Sequence, residues 1–397
     1  MYIFKIKKLN IIAGKGFKMD TKNQPYTGLA MARDLCKNRR QRAEQAKQEG
    51  EKVIGYYCCF PPAELIAAAH LFPYRITGDI HEPVTEGAVY LDTNMCPFLR
   101  SSFDLAMKGK YSFLDGIAVP NACRNMRRFH IFWRDNVKPA YVHYLNVPHT
   151  ATSASIDFYE AELASFKESL EKFAGVKISD GRLNEVIGLY NKNRALLRKI
   201  NAMRKHDPPL LSGVEMLETV IAGMTIPAEE ATELYESVLQ DISERREKPG
   251  KKRRLLVYGS VIDNIDFFRL VEDCGFNIVS DDLCFGTRSY LNDVEISRNP
   301  LGSLSRYYLG KTMCPRTYRE TLEERFGHVR HLAEEFQIDG VILYAIRFCD
   351  SVKLEVPSIT DYLQQAGLPV LSIEDDYTMS SPGTLRTKVQ AFVEMIK

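Results

Sequence analysis

Nine cysteines punctuate the 397 residues, at positions 36, 58, 59, 96, 123, 274, 284, 314 and 349. Nothing at the N-terminus reads as a secretory signal, and a long intracellular chain disfavours disulfides, so metal binding or redox chemistry gains weight. No C-x-x-C pair or ferredoxin-type run occurs. Any metal site must therefore be assembled by the fold from sulfurs far apart in sequence. Thiolates are soft ligands that suit zinc or iron–sulfur groups. A single cysteine, however, is ordinarily a core residue, so position rather than number has to argue for chemistry.

Position comes from the elements. Lys52–Tyr57 (KVIGYY), Pro62–Leu71 and Pro73–Thr77 read as strand, helix and strand, the parallel βαβ pattern. Ala32–Glu51 reads as a helix ended by Gly50. Asp157–Phe173, Arg182–Lys205 (with Ser179 as N-cap) and Pro227–Arg246 carry helical periodicity. The charged EKPGKKRR stretch, 247–254, marks a boundary. Beyond it the early pattern returns, with strand Arg254–Gly259, helix Asn264–Cys274 and strand Phe276–Ser280. The expected fold is α/β: two doubly wound, flavodoxin- or Rossmann-like parallel-sheet domains with a helical segment between them. The divisions are 1–18 as an extension, 19–155 as the first domain, 156–250 as the helical segment and 251–397 as the second domain.

An internal repeat sharpens the cysteine question. FLDGIAVPNAC (113–123) and IDGVILYAIRFC (338–349) both run Asp-Gly, apolar strand, short loop, Cys. Ligands of parallel sheets sit beyond the carboxyl ends of the strands, so Cys123 and Cys349 fall at matched, site-facing positions. Cys96 precedes Pro97 before a helix whose dipole favours thiolate. Cys58 and Cys59 follow a strand, and in an extended chain neighbours point opposite ways. Cys284 and Cys314 are further loop candidates, whereas Cys36 and Cys274 read as packing.

Other signals are bland. His328 and His331 read as a solvated helix face, Trp133 as core, and Ser380–Gly383 as an ordinary helix cap, with a phosphate cradle as the alternative. Glu374–Asp376 follows a strand and is a candidate for Mg²⁺ or substrate; with Ser101 and Ser102 it is also a candidate acid or base. Composition is that of a globular protein, 45% apolar and 26% charged, with net charge +2 and no apolar run near a spanning length. That excludes collagen-like and disordered classes, gives no pull toward nucleic acid or membrane, and points to a cytoplasmic location. No G-x-G-x-x-G or P-loop occurs, so the chain is not expected to hydrolyse ATP.

Three stretches, 55–79 (GYYCCFPPAELIAAAHLFPYRITGD), 95–123 and 338–392, resemble the 2-hydroxyacyl-CoA dehydratase and benzoyl-CoA reductase family. The FCD at 348–350 and the final SIEDDY…RTKVQAF are the most specific parts. The resemblance runs from about Val53 to the C-terminus and is weakest in the helical middle. It implies a [4Fe–4S] cluster on Cys96, Cys123 and Cys349, the same residues the strand ends select, with one iron left open to substrate. It also implies anaerobic ketyl-radical chemistry on an acyl-CoA, driven by a low-potential electron from a separate ATP-hydrolysing iron–sulfur activator, and a homologous second subunit. Cys284 and Cys314 exceed that ligand set. A related branch, homodimeric reductases of small molecules with a double-cubane [8Fe–9S] cluster, uses more cysteines, and Cys58 or Cys59, Cys284 and Cys314 complete such a set of six. A third alternative is a zinc-bearing or metal-free assembly subunit, since zinc also accepts thiolates.

Overall fold

The computed structural model describes residues 27–396. The extension 1–18 lies outside them. Helices α1 (Gly28–Lys37) and α2 (Gln41–Gln48) lead into the first α/β unit, β1 (Val53–Tyr56), α3 (Ala63–Ala68), β2 (Phe72–Arg75), α4 (Pro97–Met107), β3 (Gly116–Pro120), α5 (Arg124–Phe132) and β4 (Tyr141–Leu145). Four helices follow, α6 (Ser153–Ala174), α7 (Asp180–Ala202), α8 (Gly213–Gly223) and α9 (Ala228–Glu244). The second unit comprises β5 (Arg253–Gly259), α10 (Ile265–Asp273), β6 (Phe276–Asp282), α11 (Pro300–Ser305), α12 (Leu322–Glu335), β7 (Gly340–Ile346), α13 (Asp350–Lys353), α14 (Val356–Gln365), β8 (Val370–Asp375) and α15 (Pro382–Met395).

Both sheets are wholly parallel and share one order, β2-β1-β3-β4 and β6-β5-β7-β8. The repeat seen in sequence is thus a repeat of topology. The inner strands VIGY and GVILYAI are buried along their whole length, as helices on both faces require. Edge strands β4 and β8 are less covered: β4 is buried only at its two ends, and β8 alternates toward its carboxyl end. Among the described residues, no helix is long and apolar enough to cross a membrane.

One expected helix is corrected and one helix is added. The run 32–51 is two helices, because the chain turns at residues 38–40, where the Arg39 guanidinium bonds back to the Cys36 carbonyl. Helix α8 occupies a stretch without amphipathic period. It packs on α1, α9, α10 and β6, so eight of its eleven residues are buried, and little of it is left to show a polar face.

The two α/β units are tied by a wholly buried carboxylate. Asp263, just past β5, accepts from the Gly78 N–H of the first unit at 3.0 Å and from the Tyr377 hydroxyl at 2.8 Å, while Arg39 reaches its carbonyl at 2.7 Å and its carboxylate at 3.4 Å. Burial raises its pKa against the pull of Arg39. Asp263→Ala strands a buried cation and two donors, so a loss of about 3–5 kcal/mol is expected by denaturant titration. A change below about 1 kcal/mol would contradict this account of the closure.

A seven-thiol cleft between the two sheets

Seven of the nine cysteines converge where the carboxyl ends of the two sheets face each other. Three of them, Cys96, Cys123 and Cys349, stand at the N-caps of α4, α5 and α13. The backbone N–H groups of Phe98 and Leu99 point at the Cys96 sulfur, those of Asn125 and Met126 at Cys123, and that of Val352 at Cys349. This is the N-terminal arrangement that favours negative charge on sulfur. The three sulfurs act on one another: Cys349 and Cys123 raise the pKa of Cys96, and Cys123 raises that of Cys349. Burial comes first in each case; it pushes Cys349 to about 12 even though its thiol is 3.4 Å from the Ser260 hydroxyl. As free thiols they are protonated, so a metal must displace their protons.

A second triad lies beside the first. Cys59 follows β1, Cys284 follows β6, and Cys314 sits in the loop before α12. Hydrogen bonds from Cys59 lower the pKa of Cys284 to about 6 and depress Cys314, while the Cys59 thiol that donates them is driven far up. The triads are contiguous, for Cys123 feels Cys314, and Cys349 feels Cys284. Cys58 joins them, acting with Cys284, Cys123 and Cys314. Its backbone is left-handed, φ +58°, so the extended geometry that would send Cys58 and Cys59 to opposite faces does not hold. Phe348, just before Cys349, is likewise left-handed at φ +63°. Two such non-glycine residues beside thiols are the local strain that functional sites carry.

The Cys314 loop is a strap between the units. Arg316 donates to the carbonyls of Val147 and Pro148, Tyr318 pairs with His149, and Arg325 holds the Met313 carbonyl at 3.2 Å. Arg316 and Arg75 are buried guanidiniums with no carboxylate partner, and both act on the thiols. Arg288 stands 3.8 Å from the Cys284 sulfur while clamping Asp282 with two hydrogen bonds of 2.8 and 2.9 Å. Although Asp282 is buried, Arg288 and His328 hold its carboxyl far below the usual range. Positive charge buried beside a thiol favours its thiolate form. No three His, Cys, Asp or Glu side chains among the described residues are set to hold a single ion.

The remaining candidates take structural places. Cys36 bonds with Arg39 in α1, and Cys274 caps α10, both outside the cleft. Ser101 exchanges hydrogen bonds with the Asp79 backbone, and Ser102 bonds the Leu99 carbonyl and Tyr57. Glu374 pairs with Lys353 and Arg347, Asp375 accepts from Tyr344, and Asp376 caps Thr378 and Ser380. Trp133 is core. Ser380–Gly383 opens α15 with Ser381 as N-cap. His331 is partly exposed, but His328 does not belong to a solvated face: its Nε2 is 3.1 Å from Asp282.

The family model of 2-hydroxyglutaryl-CoA dehydratase, D-component, matches residues 58–396. The chain is 24% identical to the (R)-phenyllactyl-CoA dehydratase beta subunit of Clostridium sporogenes, over 88% of this chain and 93% of that protein. It is 27% identical to a benzoyl-CoA reductase subunit of Thauera aromatica, over 87% and 91%. It is 26% identical to the putative dehydratase subunit YjiM of Escherichia coli, over 88% and 93%. From Cys58 to the end of its last helix, the chain belongs to the 2-hydroxyglutaryl-CoA dehydratase D-component family, and it aligns along most of its length with dehydratase and benzoyl-CoA reductase subunits.

Proposed function

We propose that this chain is a redox enzyme of that family whose cleft holds an iron–sulfur group on six thiolates. Cys96, Cys123 and Cys349 form one triad and Cys59, Cys284 and Cys314 the other, the ligand number of a double-cubane [8Fe–9S] cluster. The observation that supports this reading is the contiguity of the second triad with the first. Such a group, when bound, supplies one-electron chemistry at low potential. The chain's residues do the rest. Helix N-termini and backbone N–H groups steady sulfur charge, Arg288 and Arg316 offset it, and Tyr57, Phe60 and Phe98 keep the surroundings apolar. On this reading the chain acts as a homodimer, reduces a small molecule, and receives electrons from an ATP-hydrolysing iron–sulfur activator.

The relatives' names favour a second reading, since they are subunits of dehydratases and of a benzoyl-CoA reductase. There the first triad alone binds a [4Fe–4S] cluster beside a homologous partner subunit. An acyl-CoA thioester then accepts the activator's electron at its carbonyl, and the ketyl radical loses a 2-hydroxyl or begins a reduction. Iron and acid-labile sulfide on anaerobically purified protein separate the two, with about eight irons per chain expected for the first and about four for the second. Zinc, or no metal after anaerobic reconstitution, defeats both.

A further inference from the structure

A cavity opens against the second triad, between the first sheet and helices α7 to α9, with about 820 Å³ of empty space counting its mouth. Cys58, Cys59 and Cys284 form one wall. The ionised side chains lining it are all guanidinium, Arg75, Arg194 and Arg288, with no aspartate or glutamate among them. Two of the three are already matched. Arg288 clamps Asp282, and Arg194 donates to Glu64, which Tyr308 also holds at 2.6 Å.

Arg75 is not matched. It ends β2, is 3% exposed, and lies between the rings of Tyr56 and Phe285, 5.4 and 4.7 Å from its guanidinium carbon. Nη1 donates to the Cys58 carbonyl, whereas Nε and Nη2 make no hydrogen bond. Those two nitrogens form the side edge of the guanidinium, the fork that meets both oxygens of a carboxylate. Four other arginines among the described residues use the same edge in that way, Arg134 on its neighbour Asp135 among them. Arg42 grips Glu230, Arg288 grips Asp282 and Arg325 grips Glu355, each through Nε and Nη2. Both rings pin the Arg75 plane, and Nε and Nη2 are themselves covered from solvent, so a ligand reaches the fork only where the cavity wall yields locally.

We infer that this cavity is a binding site for a small organic acid, whose carboxylate bridges Nε and Nη2 of Arg75 and whose apolar body lies toward the thiol wall. The walls suit such a body: Pro61, Ala63, Leu197, Met224 and Ile226 are apolar, and Tyr190 and Tyr307 add ring faces. The acid site rests on the proposed redox reading, to whose small substrate it gives a class, but binding can be measured without turnover.

Calorimetric titration of the anaerobically purified chain with butyrate, and with butyramide as its neutral isostere, is the test. Wild type is expected to prefer butyrate. Arg75→Gln removes that preference, and Arg75→Lys, which keeps the charge but lacks the fork, weakens butyrate binding by roughly 10- to 100-fold. Iron content is expected to stay at the wild-type level in both variants. The inference is overturned if wild type binds neither compound or both alike, or if the Lys variant binds butyrate as wild type does. It is also overturned if both variants lose their iron, because Arg75 then serves the cluster rather than a ligand. A wild-type chain that binds butyrate through Arg75 yet takes up no iron refutes the redox reading and leaves the acid site standing.

Discussion

Cys284→Ser is expected to take away about half of the bound iron, leaving a chain that retains about four irons on Cys96, Cys123 and Cys349. Cys314→Ser is expected to do the same. Geometry and electrostatics both lead to this outcome. Cys59 is hydrogen-bonded to both Cys284 and Cys314, and Cys284 is drawn down to about 6, with Arg288 as a nearby cation. Serine is a harder ligand of much higher pKa and a poor substitute for thiolate on iron. Cys36→Ala and Cys274→Ala serve as controls, since those thiols lie outside the cleft. Iron analysis and electron paramagnetic resonance on anaerobic samples read the outcome. Unchanged iron in Cys284→Ser and Cys314→Ser would assign the metal to the first triad alone.

Cys123→Ser and Cys349→Ser are expected to go further and abolish stable cluster binding. Both sulfurs belong to the first triad, yet each also acts on a member of the second, Cys123 on Cys314 and Cys349 on Cys284. Both readings of the function place metal on the first triad, so losing either sulfur leaves that triad one ligand short. The fold is expected to survive, because both residues are only partly buried N-caps on the cleft surface. Far-ultraviolet circular dichroism like that of wild type, combined with colourless protein, is the anticipated pair of results. A brown variant with wild-type iron would remove that residue from the ligand set.

Much of the architecture was readable because parallel strands buried on both faces declare themselves as apolar runs. The matched Asp-Gly, strand and Cys stretches carried over directly into β3 and β7, with Cys123 and Cys349 capping the helices that follow. Helix α8 escaped because it is covered on nearly every side. The adjacency of Cys58 and Cys59 misled because one left-handed residue cancels the alternation of an extended chain. The arginines were out of reach for another reason. Arg194 meets a carboxylate 130 residues away and Arg316 meets carbonyls 168 and 169 residues away, separations that no local pattern encodes. A side edge of Arg75 without a partner is a property of the packed cleft and leaves no mark on residues 72–75.

The strap that carries Cys314 has a mechanical implication. Its thiol, with Cys59 from the first sheet and Cys284 from the second, would be riveted together by any metal the second triad accepts. Once riveted, the two halves of the molecule could no longer part like jaws. The cavity beneath α7 to α9 would then be an opening left beside the bridged sulfurs.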